Sequence, residues 1–216
     1  MKKNLGSLVL AGIAVVAFSS AASATSLVYT LNQDGCTGGC GTGSTVFGTV
    51  TLTEPSANVV HVKVDLTPLG ITEFVATGAG DALLFNLTGG NLTSDISNLT
   101  SGFNYINGGG SASTFGSFTQ VIECTVPTAC GHGASNPNPG PLQFDISLTG
   151  ITVASFTANT GGFFFASDVI GPTGKTGDVA AKGPLNPPPP VPEPASLTLL
   201  GTGLAFLGTK LRRRNS

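Results

Sequence analysis

The chain has no Trp, two Tyr, two His and a single Met at its first position. Charged residues make up 9 % of its 216 residues. With His61 and His132 as the only imidazoles, general acid–base chemistry of the usual kind has few candidates. There is no G-x-S-x-G elbow, no H-E-x-x-H, no P-loop and no dinucleotide fingerprint, so the common hydrolase, metalloprotease and nucleotide-binding signatures are missing. The shortage of Trp and Tyr also weakens a sugar-stacking platform; Phe47 and Tyr105 are the substitutes the sequence offers. Basic residues are equally scarce in the middle. Between residues 25 and 190, three lysines (Lys63, Lys175, Lys182) face ten acids, a formal charge of −7. Such a surface repels phosphate backbones and excludes nucleic acid as a partner. No cofactor is expected.

What is abundant is Gly, with 31 residues, together with Ser, Thr, Asn and β-branched side chains. That composition points to an all-β extracellular domain. Period-2 alternation supports it. Val60, Val62, Val64 and Leu66 share one face, with His61, Lys63 and Asp65 on the other. Leu142, Phe144, Ile146 and Leu148 alternate with Gln143, Asp145, Ser147 and Thr149, and Val46, Gly48, Val50 and Leu52 with Phe47, Thr49, Thr51 and Thr53. One wet face per strand is the antiparallel habit. Further strands are expected at residues 27–31, 71–77, 82–87, 115–124, 152–157 and 162–166. Gly108-Gly109-Gly110 and residues 136–141 (Asn-Pro-Asn-Pro-Gly-Pro) are expected to be loops. The expected fold is an antiparallel β-sandwich, jelly-roll-like, with an up-and-down barrel as the alternative.

Both ends differ from this body, residues 25–182. Residues 1–24 have the form of a secretory signal peptide: Lys2 and Lys3, then an uncharged apolar run, then Ala22-Ser23-Ala24. Cleavage by signal peptidase between Ala24 and Thr25 is expected, and an uncleaved signal helix is the alternative. At the other end, residues 183–191 form a Pro-rich linker, suited to polyproline II. Residues 192–216 make a tail. Pro192-Glu193-Pro194 is followed by the apolar run 195–211, read as a transmembrane helix. Seventeen residues at 1.5 Å each span about 25 Å, slightly less than the ~30 Å hydrocarbon core. Arg212, Arg213 and Arg214 close the tail and hold it to the cytoplasmic side.

This order of signal peptide, Pro-rich linker, Pro192-Glu193-Pro194, apolar helix and Arg-rich end resembles the PEP-CTERM sorting signal of Gram-negative bacteria. The stretches 163–169 and 171–181 are similar to a segment just upstream of the tail in some members. The resemblance implies passage through the inner membrane, transient anchoring there by the tail, and recognition by exosortase, which cuts near the motif. It implies a cell-surface or extracellular destination and company with exopolysaccharide and biofilm systems. A plain tail anchor is the alternative.

Four cysteines in an exported chain read first as two disulfides. Cys36–Cys40 and Cys124–Cys130 are favoured because each pair flanks one loop. A four-thiolate zinc site is the rival, although a five-residue gap fits it poorly. No residue is assigned a catalytic or metal-binding role. His61 is read as an ordinary surface residue, and His132, in a Gly-His-Gly loop, likewise. Calcium would need several clustered oxygens; Asp168 and Asp178 are the acids placed to contribute. Asn86, Asn91 and Asn98 each begin an N-x-T triplet, read as coincidence in an Asn- and Thr-rich stretch. The function expected is that of a non-enzymatic surface or matrix protein that contacts extracellular polysaccharide. An exported matrix-acting hydrolase built on a carboxylate pair is the alternative.

Overall fold

A computed structural model describes residues 25–66, 72–77, 81–88, 91–131 and 133–185. The expected signal helix, most of the linker and the sorting tail with its transmembrane helix lie outside the described residues, as does His132. The described strands are β1 (Ser26–Leu31), β2 (Gln33–Asp34), β3 (Gly48–Ser56), β4 (Val59–Leu66), β5 (Glu73–Ala76), β6 (Asp81–Leu87), β7 (Ile96–Ser97) and β8 (Phe103–Ile106). They continue with β9 (Gly110–Ala112), β10 (Gly116–Phe118), β11 (Gln120–Cys124), β12 (Gly133–Asn138), β13 (Leu142–Ser147), β14 (Phe156–Thr157), β15 (Phe165–Ile170) and β16 (Thr176–Ala181). A short 3-10 turn at Val153–Ser155 is the one helical element among the described residues. All the strand pairings given for them are antiparallel.

Five strands form one sheet in the order β1-β3-β4-β13-β7. The alternating strands behave as their sequences dictate. Val50 pairs with Val64, and Val62 with Phe144, on the inner face. Thr51, Lys63 and Gln143 line up on the outer one. The larger sheet runs β12-β5-β15-β6-β11-β8, with β16 on β15 and β2, and β14 on β6. The two sheets share one core. Phe85 of the larger sheet stacks 6.0 Å from Phe144 of the smaller, and Tyr29 lies 4.8 Å from Phe165.

Strand β6 is buried along its whole length. Its sequence, Asp-Ala-Leu-Leu-Phe-Asn-Leu, does not alternate, as a strand covered on both faces requires. The second cover is the two-stranded ribbon β9–β10. Its Ala112, Phe115 and Phe118 form a separate cluster with Leu84, Val121, Ala166 and Ala180. The chain enters the ribbon through Gly109, which has φ 76°. A Cβ there would sit 2.3 Å from the Phe118 carbonyl oxygen, so the position demands glycine on two counts.

Several sequence expectations are corrected. Residues 136–138 belong to β12, an edge strand on β5; at an edge the donor that Pro137 lacks is not needed. Residues 115–124 are not one strand but two, β10 and β11, in different sheets. The 152–157 segment opens as a 3-10 turn before the two-residue β14. The strand expected at 162–166 starts later, at Phe165, and continues to Ile170, because Gly162 (φ 82°) is part of a turn. Phe47, placed on the wet face by alternation, is 1 % exposed, since the alternation begins only at Gly48.

Candidate functional site

The densest chemistry of the body lies on the outer face of the larger sheet, beside the β9–β10 ribbon. There a cleft of about 220 Å³ is lined by Thr77, Asp81, Ser111, Ser113, Asp168, Gly177 and Asp178. Strand register builds it. Asp168 of β15 and Asp178 of β16 are directly opposite partners, an arrangement of like charges that costs stability when both are ionised. Asp81 joins them from the start of β6. Among the described residues, no Lys, Arg or His lines the cleft.

Every acid there is engaged. The Thr77 N–H donates to Asp168 Oδ2 at 2.5 Å, and the Thr77 hydroxyl donates to Asp168 Oδ1. Ser113 donates to Asp178 Oδ2 through its N–H at 2.8 Å and its hydroxyl at 3.2 Å. The Ser111 backbone donates to Asp81. Burial raises the Asp168 carboxyl to about 7, with Asp178 and Asp81 adding repulsion against the pull of the Thr77 hydrogen bonds. Burial, then Glu123 and Asp178, raise Asp81 to about 6. Asp178 and Glu123 are raised too, both mainly by burial. The cleft is thus a group of carboxyls that retain protons to unusually high pH and that fasten the ribbon through Ser111 and Ser113. Asp168 and Asp178, the two acids singled out for calcium, do meet here. Both Asp168 oxygens already accept from Thr77, and Asp178 Oδ2 accepts from Ser113.

The other expected residues fall elsewhere. His61 and Asp145 face each other across β4 and β13, with Nδ1 2.6 Å from Oδ1. Asn98 donates to the other carboxylate oxygen at 2.7 Å. Burial opposes ionisation of Asp145, but the hydrogen bonds from Asn98 and His61 and the His61 charge hold it below the usual range. Asn98 is therefore tied up. Asn86 is buried and accepts from the Thr119 N–H at 2.8 Å, which removes it as a sugar acceptor. Tyr105 donates to Gln120 at 2.7 Å and accepts from the Leu92 N–H, and Phe47 is in the core. Neither ring is a free platform.

Cys36 is bonded to Cys40, and Cys124 to Cys130. This leaves no thiolate for zinc among the four. Asp34 lies against the first pair, and its carboxylate accepts from the N–H groups of Cys36, Cys40 and Gly41, so it caps the loop. Each bridge closes a short loop, for which the unfolded chain loses entropy worth about 2 kcal/mol. Replacing Cys124 and Cys130 together by Ala is expected to lower stability by about that amount in urea titrations. An unchanged midpoint would show that the bridge constrains nothing.

The cleft was not visible to motif reading, because Asp81 lies far from the other two in sequence. One signal was present. Gly171-Pro172-Thr173-Gly174 is a turn sequence, and a hairpin centred on it sets residue 168 opposite residue 178.

Of the sorting residues, Thr25 is described and gives its carbonyl to the Glu54 N–H at 3.1 Å. Ala24, Pro192, Glu193, Pro194, Arg212, Arg213 and Arg214 lie outside the described residues. No curated protein and no solved structure matches the chain. Residues 190–214 match the family described as the PEP-CTERM protein-sorting motif. The chain therefore carries a PEP-CTERM sorting signal, which marks it for export across the inner membrane and for processing by exosortase.

Proposed function

We propose that this is an exosortase-sorted protein of the cell surface or extracellular matrix, with a non-enzymatic β-sandwich body that associates with extracellular polysaccharide. The sorting motif at residues 190–214 carries the reading. The body is consistent with it. Its His61 is held by Asp145, its cleft acids are held by Thr77, Ser111 and Ser113, and its acidic surface suits a hydrated matrix more than a phosphate-bearing partner.

A matrix-acting hydrolase is the second reading. The observation in its favour is the pair of raised carboxyls, Asp81 and Asp168, in one cleft, since shifted carboxyls of this kind serve as general acids. Against it, Asp168 is 2 % exposed and both of its oxygens accept from Thr77.

The test is the mass of the mature protein from cells with and without exosortase. With the enzyme, the chain is expected to start at Thr25 and to lack the apolar run 195–211. Replacing Pro192, Glu193 and Pro194 together by Ala is expected to leave that run attached. Tail removal that ignores both the triplet and the enzyme would sink the sorting reading. Failure of the mature protein to sediment with matrix polysaccharide would remove the polysaccharide part alone.

A further inference from the structure

The two ends of the body leave it at the same pole. Strand β1 begins next to Thr25, and its outer edge receives the first linker residues. The Leu185 N–H donates to the Val28 carbonyl at 2.7 Å, and Tyr29 bridges antiparallel to Pro184. Up to Leu185 the chain thus runs antiparallel to β1, and its direction at that residue is toward Thr25. The β3–β4 turn is at this same end, because Ser26 pairs with Thr53 and Ser56 with Val59.

The opposite pole is fixed by the same ladders. Asp34 pairs with Val179, and Gly35 donates to the Asp178 carbonyl. From Ser26 to Asp34 is about 26 Å at the usual rise per residue. Beyond Asp34 comes the Cys36–Cys40 loop. The β15–β16 turn is bound to it, Thr173 donating to the carbonyls of Cys40 and Gly39. The Cys124–Cys130 loop is at this end too, since β11 runs from Gln120, opposite Phe85, to Glu123, opposite Asp81.

Only six residues, 186–191, separate Leu185 from Pro192. Fully extended, the seven steps from Leu185 to Pro192 reach about 24 Å. Leu185 stands against Val28, about 7 Å along β1 from Ser26 and about 20 Å from Asp34. The near pole is thus reached with ample slack, and the far one only by a reversed, fully stretched linker. We infer that the body stands on the membrane by the pole that holds Thr25, Leu185 and the β3–β4 turn, and that the pole closed by both disulfides faces outward. This rests on the sorting reading, since the tail is what brings the chain to a bilayer. It has two consequences. Both processing enzymes approach the body from one side, and any matrix partner meets the disulfide-braced loops first.

The absence of Trp makes the test direct. Single probes are placed at exposed positions of each pole, Ala57→Trp in the β3–β4 turn and Ser44→Trp beside the Cys36–Cys40 loop. The full chain is reconstituted into phosphatidylethanolamine–phosphatidylglycerol vesicles carrying a headgroup nitroxide. Quenching at position 57 is expected to be about threefold stronger than at 44, because a separation of about 25 Å puts one probe beyond the headgroups. Thr160→Trp and Lys175→Trp repeat the comparison on a second pair of loops if either first variant fails to fold. Vesicle-bound protein with equal or reversed quenching overturns the orientation alone. Protein that does not float with the vesicles overturns the sorting reading and the orientation with it.

Discussion

Phe85→Ala is expected to lower the stability of the mature protein by about 3–5 kcal/mol, the range for truncating a buried aromatic ring. Phe85 is fully buried on β6. It pairs in register with Phe165 and Gln120 on its two flanks. Its ring lies 6.0 Å from Phe144, on the facing sheet, and 5.7 Å from Phe156. It is thus where the two sheets meet, and Phe144 cannot follow it without breaking its own pairing with Val62. A space left there stays open, which places the cost toward the upper end. Against a total stability of about 5–15 kcal/mol typical of domains this size, the loss is a third or more. The urea midpoint should fall with an unchanged slope. Phe85→Leu should cost about 1–1.5 kcal/mol, since most of the volume is kept. Phe163→Ala should cost less than Phe85→Ala, because that ring is half-buried and packs on the ribbon rather than between the sheets. A loss below about 1 kcal/mol for Phe85→Ala would mean that the sheets do not share the core described.

The strands that were legible in advance are those with one wet face. In β3, β4 and β13, water on one side and the core on the other write themselves into the residues as alternation, and the pairings Val50–Val64 and Val62–Phe144 follow. Strand β16 was not legible. Its Thr-Gly-Asp-Val-Ala-Ala carries little bulk, and its outer face is buried because a ribbon from residues 110–118 folds over it. Ala180 touches that ribbon where a larger side chain would hold it off. Burial there comes from a distant segment, which no local period records. The acidic cleft was hidden for the same reason. Asp168 and Asp178 stand out in the sequence only as oxygens a calcium ion could use and Asp81 not at all, and only the ribbon above them and the β15–β16 register turn the three into one desolvated group. The sorting tail was the opposite case. Its signal is a linear order of residue types, so it needs no fold to be recognised.

That desolvated group makes stability depend on pH in an unusual direction. A carboxyl raised by folding binds its proton more tightly in the native state than in the unfolded chain. Its contribution is complete below the unfolded value near 3.8 and is lost as pH rises through the folded value. For Asp81 that value is about 6 and for Asp168 about 7, so the loss runs from about pH 4 to about pH 7.5. The acids that face Asp168 are Asp178 from β16 and Asp81 from β6, with Glu123 of β11 next to Asp81. Among the described residues, no basic side chain lines the cleft to offset them. Each tenfold gain in proton affinity on folding is worth about 1.4 kcal/mol, so Asp168 alone accounts for up to about 4 kcal/mol between pH 4 and pH 8. Asp145, lowered by Asn98 and His61, works the other way, but its contribution is lost only as pH falls below about 4. The mature protein is therefore expected to be most stable near pH 5 and to weaken toward pH 8. Asp168→Asn keeps the shape and removes the charge. It should reduce the slope of stability between pH 5 and pH 8 by close to one proton, and at pH 8 it should match or exceed the parent. Urea titrations of both proteins at unit pH steps decide the matter. A parent whose stability is flat or rises across that interval, or a variant with the same slope, would show that Asp168 is not held protonated by the cleft. If the slope is as expected, the β9–β10 ribbon, which Asp178 holds through Ser113, should be the first segment to gain amide exchange as the pH is raised.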